Sequence, residues 1–250
     1  MIIYTYQPQS LIDNIYANDF AFVIYEETNL FKQSNGKVNQ YQNAYMWMAR
    51  KLGEKTGIWM KDLYGNNINL PMDADGDYVD EEGQKLPVLP FWGWYLTDGK
   101  NQKPDPEMYC FDSRVISSIP QWSKSDSRTM LLTLDVPEKQ VLLSDANAWY
   151  CILEGRPCYD YEPDVEAKNA VFKRRMDEFK LMPEKSEKER AAKTEEAQAL
   201  WQETVSSWDN ILRLEGRQLR EFMGMKECYD IQAVFPAIMK DWIVAVEDVL

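Results

Sequence analysis

The residues richest in chemical potential lie in DADGDYVDEEGQ, residues 73–84. A calcium-binding helix–loop–helix places oxygen ligands at positions one, three and five, a sharply turning glycine at six and a bidentate glutamate at twelve. Asp73, Asp75 and Asp77 meet the first three conditions, but Tyr78 stands at six and Gln84 at twelve. The flanks NNINLP and KLPVLP are turn and strand material where that motif needs helices. The run is therefore expected to be an exposed acidic excursion, with no metal site. Residues 62–98 carry eight carboxylates against Lys85 alone, a net −7 within a chain of net charge −13. Such a patch is either simply solvated or a contact for a basic protein partner.

A second group is aromatic. In PFWGWYL, residues 90–96, strand alternation puts Phe91, Gly93 and Tyr95 on one face and Trp92, Trp94 and Leu96 on the other. Gly93 leaves space on its face for a ligand or for a neighbouring backbone. Trp92 and Trp94, with Asp98 and Asp105 nearby in sequence, have the composition of a sugar platform or glycosidase cleft, although tryptophans on a central strand are usually core.

Absences narrow the chemistry further. The chain has no histidine, which removes Ser-His-Asp and Cys-His catalysis, histidine-ligated zinc and the imidazole proton shuttle. Its eleven glycines never form Gly-x-Gly, so the dinucleotide fingerprint is missing, as is the phosphate loop. A bound nucleotide must be gripped some other way. Four cysteines at 110, 151, 158 and 228 form no CxxC and are expected as free thiols. Neither a signal-like start nor an apolar run of about 18 residues is present, so a soluble, cytoplasmic protein is expected. The acidic balance argues against direct nucleic-acid binding.

These residues need elements to hold them, and the patterning supplies a single mixed domain over 1–250. IIYTY (2–6) alternates as a strand and PQSLIDNIYANDF continues as a short helix. Residues 40–56 carry Tyr41, Ala44, Tyr45, Met48 and Leu52 at helical spacing. TMLLTLDVPEKQVLLSDANAWYCIL (129–153) reads as strand, Pro-Glu-Lys turn, strand and helix, with Asp145 as N-cap. Residues 163–214 read as mostly helical, broken near Pro183 and restarting at the capping box SEKE (186–189). An apolar stripe there runs through Ala197, Leu200, Trp201, Val205, Trp208, Ile211 and Leu212. Residues 164–196 interleave nine acids with nine bases, which suits a solvated helical hairpin, an arm or an insertion that docks on its own domain or on a partner. IQAVF reads as a strand, and periodicity leaves WIVAVEDV open between strand and helix.

Thr5 and Gln7, Ala44-Tyr45 with Trp47-Met48, PFWGWY, Lys103-Pro104-Asp105, LLTLDVPEKQVLLSDANAWY and IQAVFPAI together resemble an uncharacterised bacterial and phage family, the domain of unknown function numbered 3841. That resemblance implies that residues 66–86, the acidic loop, and 160–200, the charged helical insertion, are extra length outside the common core. The layout is also similar to ADP-ribosyltransferase folds. That second resemblance implies an α+β fold with a small, mostly antiparallel split sheet, NAD as substrate and no metal. It further implies Thr5, Gln7 and Trp94 as cofactor-binding residues and Gln232 as the catalytic position, with transfer of ADP-ribose to a macromolecule. Such enzymes carry a His or Arg on the first strand where Thr5, Tyr6 and Gln7 stand here, and a glutamate where Gln232 stands. An amide can hydrogen-bond a ribose hydroxyl but supplies no negative charge, so either the chemistry is different, another carboxylate such as Glu227 or Asp230 substitutes, or the fold binds without catalysing. The alternative is a non-catalytic, acidic interaction protein whose loop or helical arm binds a protein partner.

Overall fold

The alternating run IIYTYQP forms β1 (Ile2–Pro8), and Pro8 caps α1 (Gln9–Asn18), which buries Leu11, Ile12 and Ile15 and ends at Asp19 in the left-handed region, φ 67°. A computed structural model describes residues 1–23, 40–65, 70–80, 83–109, 128–159, 164–181, 187–214 and 230–249. The chain divides into two compact units, Met1–Ser144 with Leu219–Leu250, and Asp145–Gln218.

The first unit is built on a mostly antiparallel six-stranded sheet. After β1 come the two-residue β2 (Phe20–Ala21), α2 (Gln40–Thr56), α3 (Met60–Tyr64), β3 (Phe91–Leu96), the single turn α4 (Pro106–Tyr109), β4 (Thr129–Asp135) and β5 (Leu142–Asp145). The C-terminal segment adds β6 (Ile231–Phe235), β7 (Ile238–Met239) and β8 (Ile243–Asp248). The large sheet runs β5-β6-β3-β1-β4-β8, and β2 pairs with β7 in a small second sheet. Tyrosine 4 lies opposite both Trp94 on β3 and Thr133 on β4, Trp94 opposite Gln232 on β6, and Thr133 opposite Ala245 on β8. WIVAVEDV thus resolves as strand, because β8 completes the sheet against β4 over Met130 to Leu134.

One face of this sheet carries the core. Ile3, Phe91, Met130, Leu132, Leu134, Ala233 and Phe235 pack with Leu11, Ile12 and Ile15 of α1. Gly93 belongs to this face, and the space it leaves is filled. A Cβ there would lie 2.6 Å from Ile3 Cγ2 and 2.9 Å from the Tyr4 carbonyl oxygen, so the glycine serves close packing of β1 on β3 and leaves no ligand space.

The second unit is helical. Asp145 caps α5 (Ala146–Leu153) by accepting from the Asn147 and Ala148 amides. Then follow α6 (Val165–Leu181), α7 (Glu187–Ser207) and a 3-10 turn over Trp208–Leu212. Pro183 and Ser186 lie outside the described residues. Of the expected stripe Leu200, Trp208 and Ile211 are buried, Ala197, Val205 and Leu212 are half-buried, and Trp201 stays 40% exposed with its ring edge-on to Trp208, while Thr204, outside the stripe, is buried beside it. No residue from Val165 to Lys180 is buried. Cys151, half-buried, and Cys158, buried, are in no disulfide, and Cys110 and Cys228 lie outside the described residues. Among the described residues no helix is long and apolar enough to cross a membrane.

Candidate functional site

Strand register assembles the site. Because directly opposed residues of an antiparallel pair point to the same face, Ala245, Thr133, Tyr4, Trp94 and Gln232 form one row across β8, β4, β1, β3 and β6. Gln232 Nε2 donates to Ser144 Oγ on β5 at 2.9 Å, which extends the row to the sixth strand. Thr133, Tyr4, Gln232 and Ser144 are all buried and Trp94 is half-buried. Beside the row, the Trp94 ring meets Tyr109 edge-on at 5.0 Å. Tyr109 donates its hydroxyl to Asp230 Oδ1 at 3.1 Å, and the same oxygen accepts the Asp98 amide at 2.8 Å. An aromatic ring, a fixed amide and a buried carboxylate are thereby joined in one contact network.

The four residues expected to share a cleft do not meet. Alternation puts Thr5 and Gln7 on the face of Ile3, with the α1 core, and Trp94 and Gln232 on the opposite face. Thr5 is 1% exposed, donates to the Trp92 carbonyl at 2.6 Å and accepts from Gln7 Nε2 at 2.8 Å, so both side chains brace β1 against β3. Sequence reasoning paired them with Trp94 because it lacked the register. Trp92 and Trp94 form no open sugar platform either, since each is met edge-on by a tyrosine, Tyr45 for Trp92. Thr133, Tyr109 and Ser144 were missed. The only signal for Thr133 in TMLLTLD is a polar residue within an apolar strand.

The segment from Thr97 to Tyr109 forms a strap over the Trp94–Gln232 face. Asn101 Nδ2 donates to the Ile2 and Tyr95 carbonyls, the Tyr6 hydroxyl donates to the Pro104 carbonyl at 2.8 Å, and Lys103 pairs with Glu247 on β8 at 2.5 Å. Its anchors on β1 are thus two residues before and two after Tyr4.

The acidic excursion is ordered by its own carboxylates. Asp73 Oδ1 accepts the amides of Asp75 and Asp77, and Asp80 Oδ1 accepts that of Gln84. Gly76, at φ 82°, donates its amide to the Asp73 carbonyl, and Gly83, at φ 76°, donates its own to the Asp80 carbonyl. Asp80 pairs with Arg50, and Asp77 with Lys85, whose ammonium is held above its ordinary pKa by that carboxylate. Tyr78, the residue that disqualifies the calcium loop, is 1% exposed and packs with Met60 and Tyr64. Among the described residues no three acid or thiol side chains converge as a metal site would require.

In the helical unit, a cavity of about 340 Å³ is lined by Tyr159, Asp164, Ala167, Lys168, Val171 and Glu203. Tyr159 donates to Glu203, which also receives Arg175 at 2.6 Å, and Arg175 reaches Glu196 at 3.1 Å. Burial first, and the carboxylate second, raise the Tyr159 phenol well above its usual range. The Tyr159 hydroxyl and then Arg175 hold Glu203 below the usual carboxylate range, against an opposing effect of burial. These partners satisfy one another, and none of the sequence candidates lines this cavity.

The family model described as Domain of unknown function (DUF3841) matches residues 72–244, more than half of the chain, and the chain belongs to that family. The matched range holds Trp94, Tyr109, Thr133, Ser144, Asp230 and Gln232, while Thr5 and Gln7 precede it. No curated protein and no solved structure matches the chain.

Proposed function

We propose that the sheet unit binds NAD or a related nucleotide on the face that carries Trp94 and Gln232, and that ADP-ribose transfer depends on Asp230. The observation carrying this reading is the cross-strand pairing of Trp94 with Gln232, whose amide nitrogen is held by Ser144. An amide fixed in this way can offer its carbonyl oxygen to a ribose hydroxyl, and the Trp94 ring offers an apolar wall. Transfer breaks the bond between ribose and nicotinamide, releases nicotinamide and joins the ribose carbon to an acceptor. The positive charge that develops on the ribose needs a nearby anion. Gln232 has none. Asp230, buried and oriented by the Tyr109 hydroxyl and the Asp98 amide, is a carboxylate of the same network; Glu227 lies outside the described residues.

The acidic excursion supports the partner-binding alternative less well, since Asp73, Asp77 and Asp80 are occupied by turn amides, Lys85 and Arg50. The test is nicotinamide release from NAD by the wild type and by Asp230→Asn, with binding followed by calorimetry. The expected result is saturable binding in both proteins and release only in the wild type. Equal release by Asp230→Asn removes Asp230 from the chemistry, and failure of the wild type to bind at millimolar NAD ends the nucleotide reading.

A further inference from the structure

The hydroxyl of Thr133 is anomalous. Its residue is 8% exposed, yet Oγ1 has no hydrogen-bond partner. A buried hydroxyl without a partner carries a desolvation penalty that valine, of nearly the same shape, would avoid. Other buried polar groups in the row are matched, Gln232 with Ser144. Thr133 faces the same side as Trp94 and Gln232, and its neighbour Tyr4 separates it from Trp94. Three inter-strand steps of about 4.8 Å put roughly 14 Å between Thr133 and Gln232, close to the length of an extended nucleoside diphosphate.

The strap crosses the same face. Its anchors at Ile2, Tyr6 and Glu247 lie either side of Thr133's row, two residues from Tyr4 on β1 and two from Ala245 on β8. Two of those anchors are exposed side-chain contacts, Asn101 to Ile2 and Lys103 to Glu247, and exposed ion pairs hold weakly. The ends of the strap stay on Asp230 through the Asp98 amide and the Tyr109 hydroxyl, so only its middle, Gly99 to Lys103, can lift without disturbing that carboxylate.

We infer that Thr133 is the hydrogen-bond partner of the ligand's base, reached when the middle of the strap, Gly99 to Lys103, lifts while Asp98 and Tyr109 stay on Asp230. This rests on the nucleotide reading given above. The assignment to the base follows from charge: the row from Ala245 to Gln232 holds no cation to receive a diphosphate, whereas a hydroxyl that both donates and accepts, beside the Tyr4 ring, suits the edge of a neutral heterocycle. Gln232 then takes the nicotinamide-riboside end.

The test is Thr133→Val, studied by calorimetric titration with NAD, ADP-ribose and nicotinamide mononucleotide and by thermal melting without ligand. The variant should bind NAD and ADP-ribose about 10-fold more weakly and nicotinamide mononucleotide as the wild type does. Free of ligand, it should melt about 2–4 °C higher, because the unmatched hydroxyl is gone. Wild-type affinity for NAD in Thr133→Val, alongside weakened NAD binding in Gln232→Ala, overturns the role of Thr133 and leaves the nucleotide reading intact. A wild type that binds none of the three ligands overturns both.

Discussion

In the sheet unit Thr5, Thr133, Ser144 and Gln232 are uncharged polar groups buried in strand register, whereas the helical unit buries Thr204 and Ser207 against its own backbone and wears its charge outside, on α6 and the first half of α7. The sheet unit tolerates an unmatched buried hydroxyl, and the helical unit pairs Arg175 with Glu196 and Glu203 near its surface. Buried, directed polarity is costly and is kept where it has a use, while exposed ion pairs contribute little each. The difference sets the sheet unit, where the ligand face is proposed, apart from a helical unit with a small core around Trp208.

The largest effect expected of that contrast is in the helical core. Trp208 is 1% exposed and donates Nε1 to the Arg156 carbonyl at 2.9 Å. Trp208→Ala should cost about 3–5 kcal/mol in the helical unit. The measurement is circular dichroism with hydrogen exchange: protection should fall over 145–214 and persist over β1, β3 and β4. Equal loss in both would show that the two units unfold as one.

In the sheet unit, Gly93→Ala should destabilise by about 1–3 kcal/mol, since the new methyl collides with Ile3 and the Tyr4 carbonyl. Denaturant titration checks it. An unchanged midpoint would mean that β1 and β3 are not as closely packed as described.

Much of this frame was legible in the sequence, and the reasons differ by element. The 40–56 helix, the faces of β3 and the Asp145 cap follow from local periodicity and side-chain chemistry, which act over a few residues. β8 was ambiguous because a strand is chosen by its neighbour, here β4. The site was legible one residue at a time. Trp94 and Gln232 were named, but their separation from Thr5 and Gln7 depends on register, which turns on pairing partners far apart in the chain. Thr133 matters through what it lacks, a partner, and no sequence pattern carries that.

The smallest effect concerns pH. Glu203 is held below the usual carboxylate range, so its contribution is complete above the unfolded value of about 4.3 and is lost as pH falls through the lower folded value. Tyr159 is displaced upward, so its contribution is complete below about pH 10 and is lost as pH rises toward the folded value. Glu203 is 38% exposed, and Glu203→Gln should cost less than about 1 kcal/mol near neutrality. Tryptophan fluorescence against pH checks this: the wild type should lose helical-unit stability on acidification and Glu203→Gln should flatten that limb. An identical acid limb in both would remove Glu203 from it.

The central claim, that the ligand lies on one named face of the sheet, is tested most directly by titrating NAD calorimetrically into Gln232→Ala and Gln7→Ala side by side. The two residues lie on opposite faces. The account predicts that Gln232→Ala weakens NAD binding at least about 10-fold, the cost of one lost hydrogen bond in a dry site, while Gln7→Ala binds as the wild type does. The reverse pattern, binding lost in Gln7→Ala and kept in Gln232→Ala, would contradict it.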